Sequence, residues 1–480
     1  MMIQKAILVL AFLLCTFFLA SQEVNDPVIG SQQLAIVPFD YALDSSHQSI
    51  ADIDTGFFVS PFSIKKFIEE VSYGKATIEG QVYDYRINQP PLFGQGYTNC
   101  FPIDDVIANQ PDVDYSIIDN IVLMVHDTVS KSCAAGNSSF GRLPFTTSDG
   151  SFNFRRSGFR TQFYTPHEFS GISNSTVAHE LLHSFGISYH SNSYIMKDGE
   201  FDIQAYGNLF DIMGLRSQAS HPCALIKEQK GWLTDNEIRR VQGSDTLRIF
   251  PLEKTLPGQT QCVVIDLPNE LDLQPNDELR FSKIYIEYRG LTGFDQRSIR
   301  RVQLNDGSNY TIDDPHGALI YGIDCQLNDD FCLPVLLDMH PEPMGGIGTS
   351  YLPHEASDAQ LLINESYSVP NMDLNIEVIN VVPGEYIEVV IDMGLVSAVE
   401  DTHLSDLQVY PNPAHDVIHV SGMGDTEIQT QIYNANGKLV LTGHNSRRID
   451  ISVLRPGTYL VEVIDSSTGK KSVQKIVVSR

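Results

Sequence analysis

Two histidines four residues apart, His179 and His183, bound the stretch HELLH, and Glu180 follows the first of them directly. On a helix, residues i and i+4 project from one face a turn apart, so both imidazoles can reach one ion at about 2.0–2.1 Å. Glu180 then points beside the ion rather than at it, where a carboxylate can take a proton from an activated water. The chemistry implied is zinc-assisted hydrolysis. With 14 histidines in 480 residues, a motif this short arises by chance in about one such chain in fifty, so its surroundings decide.

Those surroundings are helical. Asn174 or Ser175 is placed to cap a helix through VAHELLHSF, and Gly186 to end it in the left-handed conformation. Val177, Leu181 and Phe185, spaced at i, i+4 and i+8, form the apolar row that faces a core. Beyond the glycine no helical phase fixes a side chain's direction, so His190 is the expected third ligand. Glu200, Asp202 and His221 compete for that place if the chain folds back, and Tyr189 is a weaker candidate.

The rest of the chain sets the context. Residues 6–20, AILVLAFLLCTFFLA behind Lys5, are short for a membrane span but match the apolar part of a secretory signal, so residues 1–22 read as a signal peptide. Cys15 followed by Thr16 is a poor lipoprotein signal. Six cysteines remain, Cys100, Cys133, Cys223, Cys262, Cys325 and Cys332, an even set expected to form disulfides in an oxidising compartment, with Cys325 and Cys332 close enough to clip one loop. Sixty acidic against 32 basic residues give a formal charge of −28, which argues against nucleic acid or an anionic membrane as partner. The end differs: residues 438–480 hold eight Lys or Arg against three Asp or Glu.

Residues 28–235 mix helical spacing, as in FFVSPFSIKKFIEEVSYG, with buried-strand runs such as IIDNIVLMVHD, and read as α+β. Residues 236–395 are short strands between turns, for which a β-sandwich is the simplest architecture. Residues 396–404 read as a linker, and 405–480 as a small all-β domain with Asn436-Gly437 as a hairpin turn.

His179, Glu180, His183, Gly186, His190 and the later Met213 in YGNLFDIMG together resemble the metzincin zinc proteases. QLAIVPFDY, EEVSYGKATIEGQVYDY and KEQKGWL, with IYIEYRGLTGFD and HGALIYGID further on, are similar to segments of gametolysin-like and immune-inhibitor-A-like secreted metallopeptidases. The resemblance implies a metzincin-like α+β catalytic domain over 28–235, zinc held by His179, His183 and His190, Glu180 as catalytic base, Met213 in a supporting turn, and protein or peptide substrates. Two features depart from the pattern. Three residues rather than two separate Gly186 from His190, which puts Tyr189 at the usual ligand position, and Leu215 stands where a switching tyrosine ligand would be. The tail, with VYPNPAHDVIHV, QIYNANGKLV, IDISVLRPGTYLVEV and KKSVQKIVVS, resembles the C-terminal sorting domain of bacterial type IX secretion. That implies export by Sec and then type IX secretion to the cell surface or beyond, with the secretion machinery as partner and no stable membrane insertion after processing.

A rival reading makes the chain an exported binding protein or adhesin whose peptidase-like domain is inactive. Glu180 speaks against it, since a scaffold that only binds zinc does not require that carboxylate. The plainest reading takes His179 and His183 as a solvated helix face and Met213 as core filler. Trp232 reads as a packing anchor. The acidic stretches DGEFD and LNDD could offer oxygens to calcium but lack the spacing of a calcium loop, so calcium is not predicted.

Overall fold

The computed structural model describes residues 26–40, 48–84, 86–87, 112–126, 136–147, 150–160, 172–197, 200–214, 220–273, 279–298, 302–303, 309–310, 316–325, 332–341, 355–394, 408–421, 427–434, 438–465 and 471–479. The signal segment 1–22, the linker 396–404, Cys100, Cys133 and the Asn436-Gly437 turn lie outside them. The chain forms two units, residues 1–393 and 394–480.

In the first unit, strands rich in β-branched and apolar residues build a mostly parallel sheet. Its order is Ala76–Val82, Gly30–Asp40, Asn120–His126 and Gly150–Arg160, with Gly136–Ser138 added antiparallel at the end. Side chains alternate faces along a strand, and here both faces are covered, as parallel sheets require. Leu34, Ile36, Val122 and Met124 enter one core, while Ala35, Val37, Ile121 and Leu123 enter another on the opposite face.

The helix carrying the site, Ile172–Ser184, packs on the first of these cores through Val177, Leu181 and Phe185, joined by Ala178 and Leu182. Each fully buried Leu or Phe contributes about 1.5–3 kcal/mol. The side-chain amide of Asn120, in the central strand, donates to Ser184 at 2.7 Å and fastens the helix end to the sheet. Asn174 and Ser175 do not cap this helix; they lie buried within it, because it begins at Ile172. The other end is as expected. Gly186 takes φ +97°, Gly186 N–H donates to the His183 carbonyl at 2.9 Å and Ile187 N–H to the Leu182 carbonyl at 3.2 Å, a Schellman closure.

The helix expected across 57–74 is broken. A π-turn, Thr55–Val59, stops ahead of Pro61, and a helix capped by Ser63 restarts at Ile64–Val71, since proline cannot donate and disfavours a helical residue before it.

A second sheet runs Ile238–Val241, Cys262–Leu271, Phe281–Glu287, Gly317–Asp324, Leu333–Leu337, Asn192–Lys197 and Glu200–Gln204. A third, Asp245–Ile249, Tyr386–Met393, Leu374–Val382 and Ser366–Ser368, shares one core with it. That is a sandwich, but its first sheet takes in Asn192–Lys197, paired in parallel with Leu333–Leu337, so it crosses the boundary placed at 235.

The α+β metzincin-like fold class is therefore corrected: the chain is mostly β, with 49% of the described residues in strands and 13% in helices. Local helical spacing had suggested more. Within 28–235 the described helices are short, and strands from that segment complete the sandwich.

Cys325 and Cys332 form a disulfide. Cys223 and Cys262 are buried free thiols, contrary to the expectation that all six cysteines pair. Trp232 is buried with its indole N–H on the Val28 carbonyl at 2.9 Å, an anchor as expected.

The second unit holds two sheets around one core of Val409, Ile418, Ile432, Val461 and Ile476. Strands Gln408–Tyr410, Val417–Ser421 and Arg448–Asp450 form one sheet; Leu439–His444, Ile428–Asn434, Gly457–Asp465 and Lys471–Val478 form the other.

Candidate metal centre

His179, His183 and His190 converge, each offering a ring nitrogen, with the ligand atoms all within 4.8 Å of one another. Ligands at about 2.0–2.1 Å around a tetrahedral ion stand about 3.4 Å apart, so the cluster has the right scale. Among the described residues the cluster holds three imidazoles, a donor set that zinc accepts.

Backbone carbonyls fix two of the tautomers. His179 Nδ1 lies 2.7 Å from the Ile212 carbonyl and His183 Nδ1 lies 2.5 Å from the Ile187 carbonyl. A carbonyl only accepts, so both Nδ1 atoms carry the proton and both Nε2 atoms keep a lone pair. His183 Nε2 stands 3.0 Å from His190 Nε2. Two ring nitrogens this close share either a proton or a cation. Burial pushes the His183 imidazole down to about 4, while its bond to Ile187 pulls the other way. The Ile187 that orients His183 is the residue that closes the helix, so the Schellman turn serves the ligand too.

One segment, 206–214, carries much of the orientation. Ile212 holds His179, the Met213 carbonyl accepts from Ser191 N–H at 2.9 Å next to His190, and Asn208 Nδ2 donates to Ser191 Oγ at 2.9 Å. Met213 is fully buried, and its N–H donates to Asp211 Oδ1 at 2.8 Å. The turn thus holds His179 through the Ile212 carbonyl and Ser191, next to His190, through the Met213 carbonyl, while the Met213 side chain packs in the core.

Glu180 is buried beside His179 on the helix, against Gly136 of the edge strand Gly136–Ser138. A methyl at Gly136 would overlap the Glu180 carboxylate. If these residues form a zinc hydrolase, Gly136→Ala is accordingly expected to leave zinc bound and to slow hydrolysis about 10²-fold, as misplacing a reacting group does. Equal turnover by Gly136→Ala and wild type would refute that placement.

Of the competing candidates, three have described side chains. Tyr189 is buried with its hydroxyl on Gln229 at 2.7 Å, Asp202 is exposed, and His221 is buried against Glu70 and Lys227, 3.0 Å from each. Glu200 lies in strand Glu200–Gln204, with its side chain outside the described residues.

Two aromatic residues at the site were not singled out from the sequence. Phe140, 46% exposed, stacks edge-on to His183 with centroids 5.5 Å apart. Tyr206 stacks on His190 at 3.9 Å. Tyr206 precedes Gly207 within YGNLFDIMG, a segment whose signal was read only at Met213.

Comparison with known proteins identifies the tail. Residues 408–479 match the secretion system C-terminal sorting domain. Beta-agarase D from Zobellia galactanivorans is 39% identical over 74 residues, 15% of this chain and 15% of that protein's own length. PorZ, an essential surface component of the type IX secretion system of Porphyromonas gingivalis, aligns at 14% identity over 46% of this chain and 39% of its own, with a TM-score of 0.15, too slight a likeness to carry an inference. Among the described residues no helix is long and apolar enough to cross a membrane. The sorting domain directs the chain to the cell surface or the extracellular space, and the type IX machinery is its partner in transit.

Proposed function

We propose, for a chain exported by that sorting domain, that unit 1 is a zinc-dependent endopeptidase acting on extracellular proteins, and that it resembles the gametolysin-like and immune-inhibitor-A-like peptidases in its site residues. The observation that carries the reading is the convergence of His179, His183 and His190, two of them with their tautomers set by backbone carbonyls, beside the buried Glu180. Zinc bound there would polarise a peptide carbonyl and acidify a water. Glu180 accepts the proton of the attacking water and returns it to the departing amine nitrogen. Gly136 leaves room for the carboxylate in its working position.

The test is zinc content and cleavage of an unfolded generic protein by the mature chain, alongside His190→Ala and Glu200→Ala. Wild type and Glu200→Ala should bind one zinc and cleave; His190→Ala should lose both. A wild type that binds zinc stoichiometrically without cleaving would replace the peptidase by the exported binding protein. Zinc lost from Glu200→Ala and kept by His190→Ala would overturn the ligand set.

A further inference from the structure

The third of these histidines is the one that the helix does not carry. His190 follows the helix by several residues, and its ring is partly exposed. What lies on that ring is Tyr206, with centroids 3.9 Å apart and planes tilted by 36°. The Tyr206 ring also lies 6.4 Å from that of His179 and close to parallel with it, at 22°.

Tyr206 is held in place at some conformational cost. Its φ is +59°, the left-handed region that residues with a Cβ seldom adopt. Its N–H donates to Asn192 Oδ1 at 3.1 Å, and Gly207 N–H donates to the Gln204 carbonyl at 3.0 Å, which closes the turn after the strand Glu200–Gln204. That strand pairs with Asn192–Lys197, which begins two residues after His190. The hairpin thus leaves His190 in one direction and brings Tyr206 back onto its ring.

We propose that Tyr206 is a positioning residue that clamps the His190 imidazole in its ligating orientation, so that the strained hairpin turn supplies the constraint that the helix gives His179 and His183. This rests on the zinc reading above and adds to it a named residue outside the ligand set. The clamp acts through the face of the aromatic ring, so a phenyl ring replaces it and a short polar side chain does not.

The variant of choice is Tyr206→Asn. Asparagine accepts the left-handed backbone, so the turn keeps its shape while the ring is lost. Tyr206→Phe restores the ring, and Tyr206→His, also tolerant of positive φ, offers a smaller one. Zinc affinity of the mature full chain is measured by chelator competition, together with the visible absorption of the cobalt-substituted protein and the melting of the metal-free form. Outer partners of metal-binding histidines typically contribute 10- to 100-fold in affinity. Tyr206→Asn is expected to weaken zinc within that range and to alter the cobalt bands, with unchanged metal-free melting. Tyr206→Phe should return both to wild type, and Tyr206→His should fall between. Wild-type affinity and spectrum in Tyr206→Asn would overturn the clamp. If the asparagine variant does not fold, Tyr206→His decides by the same two readouts. Failure of wild type to bind zinc would instead defeat the metal reading itself, and zinc binding without hydrolysis would defeat only the peptidase reading.

Discussion

On the peptidase reading proposed above, replacing Glu180 by glutamine is expected to leave one zinc per chain and to lower cleavage of an unfolded protein by about 10²–10⁴-fold, the usual contribution of a positioned acid–base group. Glutamine keeps the size and nearly the shape of the side chain, so packing against Gly136 and the helix is preserved. What it loses is the ability to take a proton from water and to return it to the amine. The two neighbouring ligands have their tautomers fixed by Ile212 and Ile187, neither of which the substitution touches. Metal content by elemental analysis and cleavage rate are therefore expected to separate. Zinc-loaded Glu180→Gln that cleaves as fast as wild type would remove Glu180 from the chemistry, and loss of zinc would make the residue structural instead.

The shared face of His179 and His183 was legible in the sequence because it is a local property: two histidines four apart on a helix share a face whatever surrounds them. Gly186 was legible for the same reason, since a left-handed closure is written in one residue. Direction past the helix is not local. His190 could be named from its spacing, but the groups that turn the rings toward one point, the Ile212 carbonyl and Tyr206, come from a segment more than 15 residues away, and backbone carbonyls have no signature in residue type. Fold class failed where local spacing met pairing at long range. Asn192–Lys197 was assigned with the α+β segment 28–235, yet its partner is Leu333–Leu337. Charged residues show the same limit: Lys227 in KEQKGWL and Arg289 in EYRGL are fully buried, although their residue types usually lie at the surface.

That buried charge leads to the second large effect: Arg289→Met is expected to lower stability by about 3–5 kcal/mol, read as a lower urea midpoint with an unchanged m-value. Arg289 donates through Nε to Glu287 and through Nη1 to Asp295, each at 2.8 Å, and all three side chains are fully buried. Burial alone would depress the guanidinium's pKa; the two carboxylates reverse that and hold it well above its usual value. Removing the cation leaves two carboxylates in the interior without it. Adding Glu287→Gln to Arg289→Met should recover part of the loss by removing one of those charges, a coupling that a simple cavity would not show. Arg289→Lys should recover little, since one ammonium cannot match a fork that also reaches the His221 carbonyl at 3.3 Å. The network continues toward the histidine cluster. Glu287 accepts from Tyr321 at 3.3 Å, Tyr321 from Asn208 at 3.3 Å, and Asn208 donates to Ser191 beside His190 at 2.9 Å. Zinc affinity should accordingly fall along with stability in Arg289→Met. A stable Arg289→Met would refute the network's role, whereas lost stability with wild-type zinc affinity would confine that role to the sandwich sheet. The geometry favours the coupled outcome, because the sheet that carries Glu287 also takes in Asn192–Lys197, which starts two residues after the third ligand.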